Sequence, residues 1–247
     1  MIQNNIAIVK AKTSDVQVIN ENVKAITFAK DYCVGDTAIA IGNPEGEGIS
    51  VTEGIVSVDN EYIYLAIDGT SRAYRSIRID TSIYSGSSGG GLFDIDGNLI
   101  GITNAGDGDD QNVNYAIPLE IVESAVQNIM YYGNNAKIIT LGIEVVSSNS
   151  KYVFDAEKGC GEIVETITIN KVNSNSISEK LGLKKDDVLI SFIVNDVEYS
   201  INRSFNISDI LFIIRNGDKI GFRISRSGQS TLSSTYTIVE NDLTQVA

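Results

Sequence analysis

From Asn5 to Ile117 the chain alternates short apolar, β-branched runs with glycine, aspartate and asparagine, a pattern that predicts strands closed by turns. Asn5–Lys10 reads as a first strand, and a mixed connector bearing Val16, Val18 and Val23 follows without a helical period. Val34–Pro44 reads as turn, buried strand, turn. Ile49–Val58 and Tyr62–Ile67 predict two further strands, and Arg75–Asp80 leads into a loop of small residues. Gly91–Phe93, Leu99–Asn104 and Val113–Ile117 are strands separated by Gly/Asp turns. Six or so strands at this regular spacing predict a small antiparallel barrel or sandwich.

At Pro118 the period changes. Leu119, Val122, Ala125, Val126 and Ile129 recur at helical spacing, and Gly133 stands where a helix would stop. A domain boundary is expected near residue 136. Beyond it, Ile138–Val145 predicts a strand, residues 147–160 a polar loop, and Ile163–Ile169 another strand. Ser176 and Glu179 have capping-box spacing for a short helix ended by Gly182. Asp187–Val194 predicts a strand, and Ile207, Ile210, Leu211, Phe212 and Ile214 make the apolar face of a second helix. Lys219–Arg226 and the run through Ser234, Tyr236 and Ile238 finish a β-rich second domain.

Composition narrows the function classes. The 247 residues carry a net charge of −13, with 7 basic against 18 acidic side chains before residue 137 (net −11) and 12 against 14 after it (net −2). So acidic a first part argues against nucleic acid or anionic membrane as a partner. No apolar run is long enough for a membrane span, and no secretory signal opens the chain. Two cysteines cannot alone make a structural zinc site, and no metal or other cofactor is indicated. There is no histidine.

The chemistry concentrates in Gly86-Ser87-Ser88-Gly89-Gly90. Glycine adopts positive φ without a Cβ penalty, so such a loop can turn backbone N–H groups toward one point beside a hydroxyl. The N–H groups of Gly86 and Ser88 are the candidates to hold an oxyanion, as acyl transfer requires.

Around this loop the order Gly35-Asp36, Ala40–Pro44, Val51–Ser57, Asp80–Leu92, Gly97–Ile102 and Tyr115–Pro118 resembles the second half of the HtrA/DegP-type trypsin-like serine proteases. Residues from 137 on are similar to that family's PDZ domain. The resemblance implies a mainly β fold: the C-terminal half of a chymotrypsin-like double β-barrel followed by a PDZ-like domain. It divides the chain into a remnant of the first barrel and connector (1–33), the second barrel with its helix (34–136) and a peptide-binding domain (137–247). It places the nucleophile on Ser88 and the oxyanion donors on Gly86 and Ser88. Ser82 falls near the floor of the specificity pocket, where a small neutral residue leaves room for an uncharged side chain. Thr103, Asn104 and Ala105 fall where substrate backbone pairs as an added strand. Leu141, Gly142 and Ile143 match the carboxylate-binding loop, with Ile207, Leu211 and Ile214 on the helix across the peptide groove.

The departures are equally specific. The family's histidine base is expected upstream of residue 1, in a barrel this chain lacks, and the acidic partner's position falls on Asn5. Asparagine in that place costs a trypsin-type enzyme about 10⁴-fold in turnover. No lysine has a sequence relation to Ser88 that would make it a replacement base. The expectation is therefore a serine endopeptidase site, truncated and inactive as it stands, with polypeptides as substrates. The alternative is a non-catalytic protein that captures C-terminal peptides. An isolated second barrel would also expose the surface that packs on the first, which predicts aggregation or homo-oligomerisation. Family resemblance implies an extracytoplasmic location.

Overall fold

The computed structural model describes residues 6, 8–9, 12, 14, 22, 24–67, 70–106, 112–133 and 136–245. The expected strand Asn5–Lys10, and Asn5 with it, lies almost wholly outside them. The protein is mainly β and divides into two compact units, Met1–Val126 and Gln127–Ala247.

In the first unit, β1 (Thr37–Gly42), β2 (Ser50–Ile67), β3 (Thr70–Ile79), β4 (Gly91–Phe93), β5 (Leu99–Gly106) and β6 (Asn114–Pro118) form a closed antiparallel barrel. Its strand order is β1-β2-β3-β6-β5-β4. Alternation along the strands sends Ala38, Ala40, Val56, Ile77, Ile79, Leu92, Ile100 and Ala116 inward, where all are buried. Three of these are alanines, which leaves the interior room for the isoleucines.

Two expected strands, Ile49–Val58 and Tyr62–Ile67, are one. β2 runs unbroken through Asp59-Asn60-Glu61, with irregular pairing to β3 between Val56 and Glu61. The polar residues that resemble a turn have another use: Asn60 Oδ1 accepts from the buried Arg75 guanidinium, which also donates to Glu120 at 3.1 Å. β3 likewise starts at Thr70, before the expected Arg75.

The predicted helix is α1 (Leu119–Tyr132), stopped at Gly133 with φ +94°. Its Ile121 and Val122 pack with Ile117 and Ile102 of the barrel. Farther along α1, the fully buried Asn128 donates to the carbonyls of Lys137 (2.9 Å) and Phe212 (2.7 Å) and accepts from Lys137 N–H (2.8 Å).

The second unit holds β7 (Lys137–Ile139), β8 (Ile143–Asp155), β9 (Cys160–Val172), α2 (Ile177–Lys180), β10 (Val188–Val194), β11 (Val197–Ser200) and α3 (Ser204–Leu211). β12 (Lys219–Arg226), β13 (Gln229–Leu232), β14 (Tyr236–Thr237) and β15 (Leu243–Gln245) complete it. One sheet runs β13-β12-β10-β9-β8, with β11 on β10 and β14 on β12; β7 pairs with β15. Ile167, Ile169, Leu189, Phe192, Phe222 and Ile224 fill the core between sheet and helices.

Two expectations need correction here. The polar loop 147–160 is the far half of β8 and its hairpin turn: serine and asparagine look like loop residues, but Lys151–Asp155 pairs residue by residue with Val164–Cys160. The second helix stops at Leu211, so Phe212 and Ile214 are buried after its end. The cap at Ser176 is present, its Oγ accepting from Glu179 N–H at 3.1 Å. The Glu179 carboxylate reaches Asn175 N–H instead of the cap residue's own.

Candidate functional site

Two consecutive turns build the Ser88 loop. Ser87 N–H donates to Tyr84 C=O (2.9 Å), and Gly90 N–H donates to Ser87 C=O (2.9 Å). Each turn has glycine as its third residue, Gly86 at φ +92° and Gly89 at φ +90°, where a type II turn demands positive φ. At Gly86 the fit is also steric, because a Cβ there would sit 2.7 Å from Glu45 N and 2.9 Å from Asn43 O. Gly42 and Gly90 admit the loop against β1 in the same way.

Farther back, Asp80 Oδ1 accepts from Ile55 N–H at 2.6 Å and the Thr81 hydroxyl donates to Ala38 C=O at 3.0 Å. These bonds fix the segment entering the loop. β5 fixes its exit: Gly89 N–H donates to Thr103 C=O (2.7 Å), and the buried Thr103 hydroxyl donates to Ser87 C=O (2.6 Å). The Ser87 N–H is consumed by the first turn. Among the described residues, those of Gly86 and Ser88 have no partner.

Ser88 is exposed, and its hydroxyl donates to Asn104 C=O at 2.8 Å. That carbonyl can accept a hydrogen bond but cannot take up the proton. Ser82 is half-buried, and its carbonyl accepts from Thr52 Oγ1 at 2.8 Å. With Tyr84, Ser87 and Thr103 it lines a cavity of about 10 Å³, room for one water. Asn104 stands at a bulge, between Thr103 paired with Ala116 and Ala105 paired with Tyr115. β4 pairs with β5 only as far as Ile102, so on that side Asn104–Gly106 has no neighbouring strand among the described residues.

The second loop is built on the same economy of donors. Gly142 has φ +75°, and a Cβ there would lie 2.4 Å from Ser176 Cβ, so the loop rests directly on the cap of α2. Leu141 C=O accepts from Ser178 N–H (3.0 Å) and Gly142 C=O from Asn173 N–H (2.9 Å). The N–H groups of Leu141 and Gly142 have no partner among the described residues. Leu141, Ile207 and Ile214 are buried in the core, whereas Ile143 and Leu211 keep surface to offer where α3 lies against β8.

The structure thus brings Gly86, Ser88, Thr103 and Asn104 into one hydrogen-bonded site with Ser82 beside it. Sequence reasoning passed over Tyr84, whose carbonyl anchors the first turn and which lines both the small cavity and an open pocket shared with Glu45 and Glu47. Its place three residues before Ser87, with Gly86 between, was the available signal.

Residues 2–102 match the family described as a trypsin-like peptidase domain. The chain is 28% identical over 235 residues to the serine protease Do-like HtrB of Bacillus subtilis, a match covering 90% of the chain and 50% of HtrB. It is 33% identical over 196 residues to the periplasmic serine endoprotease DegP of Escherichia coli, covering 74% of the chain and 39% of DegP. It therefore spans half of these curated relatives or less. Among solved structures, the HtrA-type protease AlgW with a tripeptide superposes with a TM-score of 0.58 at 27% identity, over 90% of this chain and 70% of AlgW. AlgW with a decapeptide gives 0.54 at 28%, over 88% and 65%. By sequence and by fold, the chain is similar to the HtrA-type serine proteases.

Proposed function

We propose that the protein acts on polypeptides as HtrA-type endopeptidases do, with Ser88 as nucleophile and the N–H groups of Gly86 and Ser88 as oxyanion donors. The observation that carries this reading is the pair of turns at an exposed serine, with those two donors unpartnered among the described residues. Substrate backbone would pair along Thr103–Asn104–Ala105. Ser88 Oγ would attack the scissile carbonyl while a base removes its proton, and the negative charge on the former carbonyl oxygen would face the two N–H groups. Protonated amine then leaves, and water releases the acyl group. The cavity beside Ser82 favours a small uncharged side chain before the cleaved bond.

No histidine exists to serve as that base. Hydrolysis through Ser88 therefore draws its base from outside these residues, and the chain alone is inactive. Fluorescent casein cleavage with and without imidazole tests this. Imidazole should raise a cleavage rate that Ser88→Ala abolishes. Equal rates in both proteins at every imidazole concentration would sink the assignment.

The second reading is capture of peptides without cleavage, favoured by the hydrogen bond that ties the Ser88 hydroxyl to Asn104. Residues 137–247 would act as a PDZ-like domain, with Leu141 and Gly142 N–H groups holding a C-terminal carboxylate. Ile143 and Leu211 would flank the peptide, with Ile207 and Ile214 behind them. Titration with peptides ending in a free carboxylate, against the same peptides amidated, separates the readings; equal affinity for both forms would exclude the carboxylate loop. The periplasmic setting of DegP supports an extracytoplasmic location.

A further inference from the structure

β8 ends the sheet, and among the described residues it pairs with β9 alone. Its first half lies against α3, where the peptide groove has been placed; its far half, Lys151–Asp155, extends past that groove as an open edge. An exposed strand edge offers a row of N–H and C=O groups to any second strand, so natural proteins usually blunt it with charge or proline. This one carries charge at Lys151 and Asp155 and an irregularity in pairing between Ser148 and Lys151, but no proline, and its middle is apolar. Tyr152 is 74% exposed, Val153 43% and Phe154 67%, and Ile163, cross-strand from Tyr152, is 38% exposed. Tyr152 and Phe154 share one face with Ile163, while Lys151, Val153 and Asp155 point to the other.

The five residues Lys151-Tyr152-Val153-Phe154-Asp155 are complementary to themselves when run antiparallel. Place a two-fold axis at Val153 and Lys151 stands opposite Asp155 of the second chain, Tyr152 opposite Phe154, and Val153 opposite Val153. One face then carries two ion pairs around a valine contact; the other carries two aromatic pairs over the isoleucines. Shifting the partner by one residue puts Lys151 opposite an apolar side chain and loses both ion pairs. Lys151 has no ion pair of its own among the described residues, and Asp155 uses one carboxylate oxygen on Glu157 and Lys158 N–H, leaving Oδ2 unengaged.

We propose that this edge is a self-association surface. Two copies of the chain pair β8 to β8 across a two-fold axis at Val153, joining their sheets into one. A two-fold contact of this kind is closed, so it yields a dimer and not a fibre. It is independent of whether Ser88 is catalytic.

Sedimentation of the whole chain from micromolar to near-millimolar concentration tests it, with circular dichroism and thermal melts confirming that each variant is folded. The wild-type chain should pass from monomer to dimer. Lys151→Asp or Asp155→Lys alone sets like charges opposite each other twice per dimer and should weaken association roughly tenfold or more. The two reversals together restore opposite charges and should return the affinity to within about threefold of wild type. Tyr152→Ser with Phe154→Ser should weaken the dimer without any charge change. A chain that stays monomeric throughout, or that associates equally in all five proteins, would overturn the proposal.

Discussion

The loops at Ser88 and at Leu141–Ile143 solve one problem twice, with different completeness. Each uses a positive-φ glycine and has two backbone N–H groups without a partner among the described residues, Gly86 and Ser88 in one, Leu141 and Gly142 in the other. In the proposed role of holding a carboxylate, the second loop would need only apolar neighbours, and Ile143 and Leu211 are partly buried beside it. The first also needs a proton acceptor, and the group its hydroxyl meets is a backbone carbonyl. Binding chemistry can be complete in a backbone loop; nucleophilic catalysis cannot, because a serine hydroxyl at its ordinary pKa attacks poorly.

The largest expected effect separates the loops by reaction. Ser88→Ala should remove imidazole-supported cleavage, a loss of about 10²-fold or more given what a general base contributes. It should leave the affinity for C-terminal peptides unchanged. Next comes the mirror test: Gly142→Ala forces a Cβ against Ser176, and peptide affinity measured by calorimetry should fall roughly tenfold while Ser88-dependent cleavage persists. If either substitution damaged both activities, the two loops would not be separate sites.

Smaller effects sharpen how the first loop is held. Thr103→Val removes the 2.6 Å hydroxyl bond to the Ser87 carbonyl, which keeps its bond from Gly90 N–H, and chemical denaturation should show a loss of about 0.5–1.5 kcal/mol. Gly86→Ala and Gly89→Ala should differ. Both add about 1–2 kcal/mol of positive-φ strain, but only Gly86 has backbone within 3 Å of the new methyl, so its variant should melt lower.

The least effect concerns pH. A hydrogen bond from Arg223, and then one from Ser191, lowers the Glu198 pKa from 4.5 to about 2. A carboxylate lowered on folding stabilises the folded state above its unfolded pKa, and that contribution fades as pH drops from about 4.5 toward 2. Thermal melts of wild type and Glu198→Gln should therefore converge across that window. The first unit titrates at the other end: burial foremost, with Glu120 adding to it, raises Tyr32 well above 10.

Legibility differed by element. The barrel strands, the Pro118 boundary and the Ser176 cap could be read because apolar spacing and cap residues act locally. Asp59-Asn60-Glu61 and Ser147–Ser150 could not, since a polar run looks the same in a loop and in a strand whose partner lies across a hairpin. Pairing with Arg75, and with β9, decided those.

By itself the sequence determined the loop with its serine and glycines, the absence of histidine and the order of motifs, because composition and turn chemistry need no partner. Only the tertiary structure decided that the Ser88 hydroxyl rests on Asn104, that Leu141, Ile207 and Ile214 are core residues, and that Lys151–Asp155 is an edge. Each of those depends on which residues distant in the chain come to lie side by side, and pairing across a fold is not encoded in any local window.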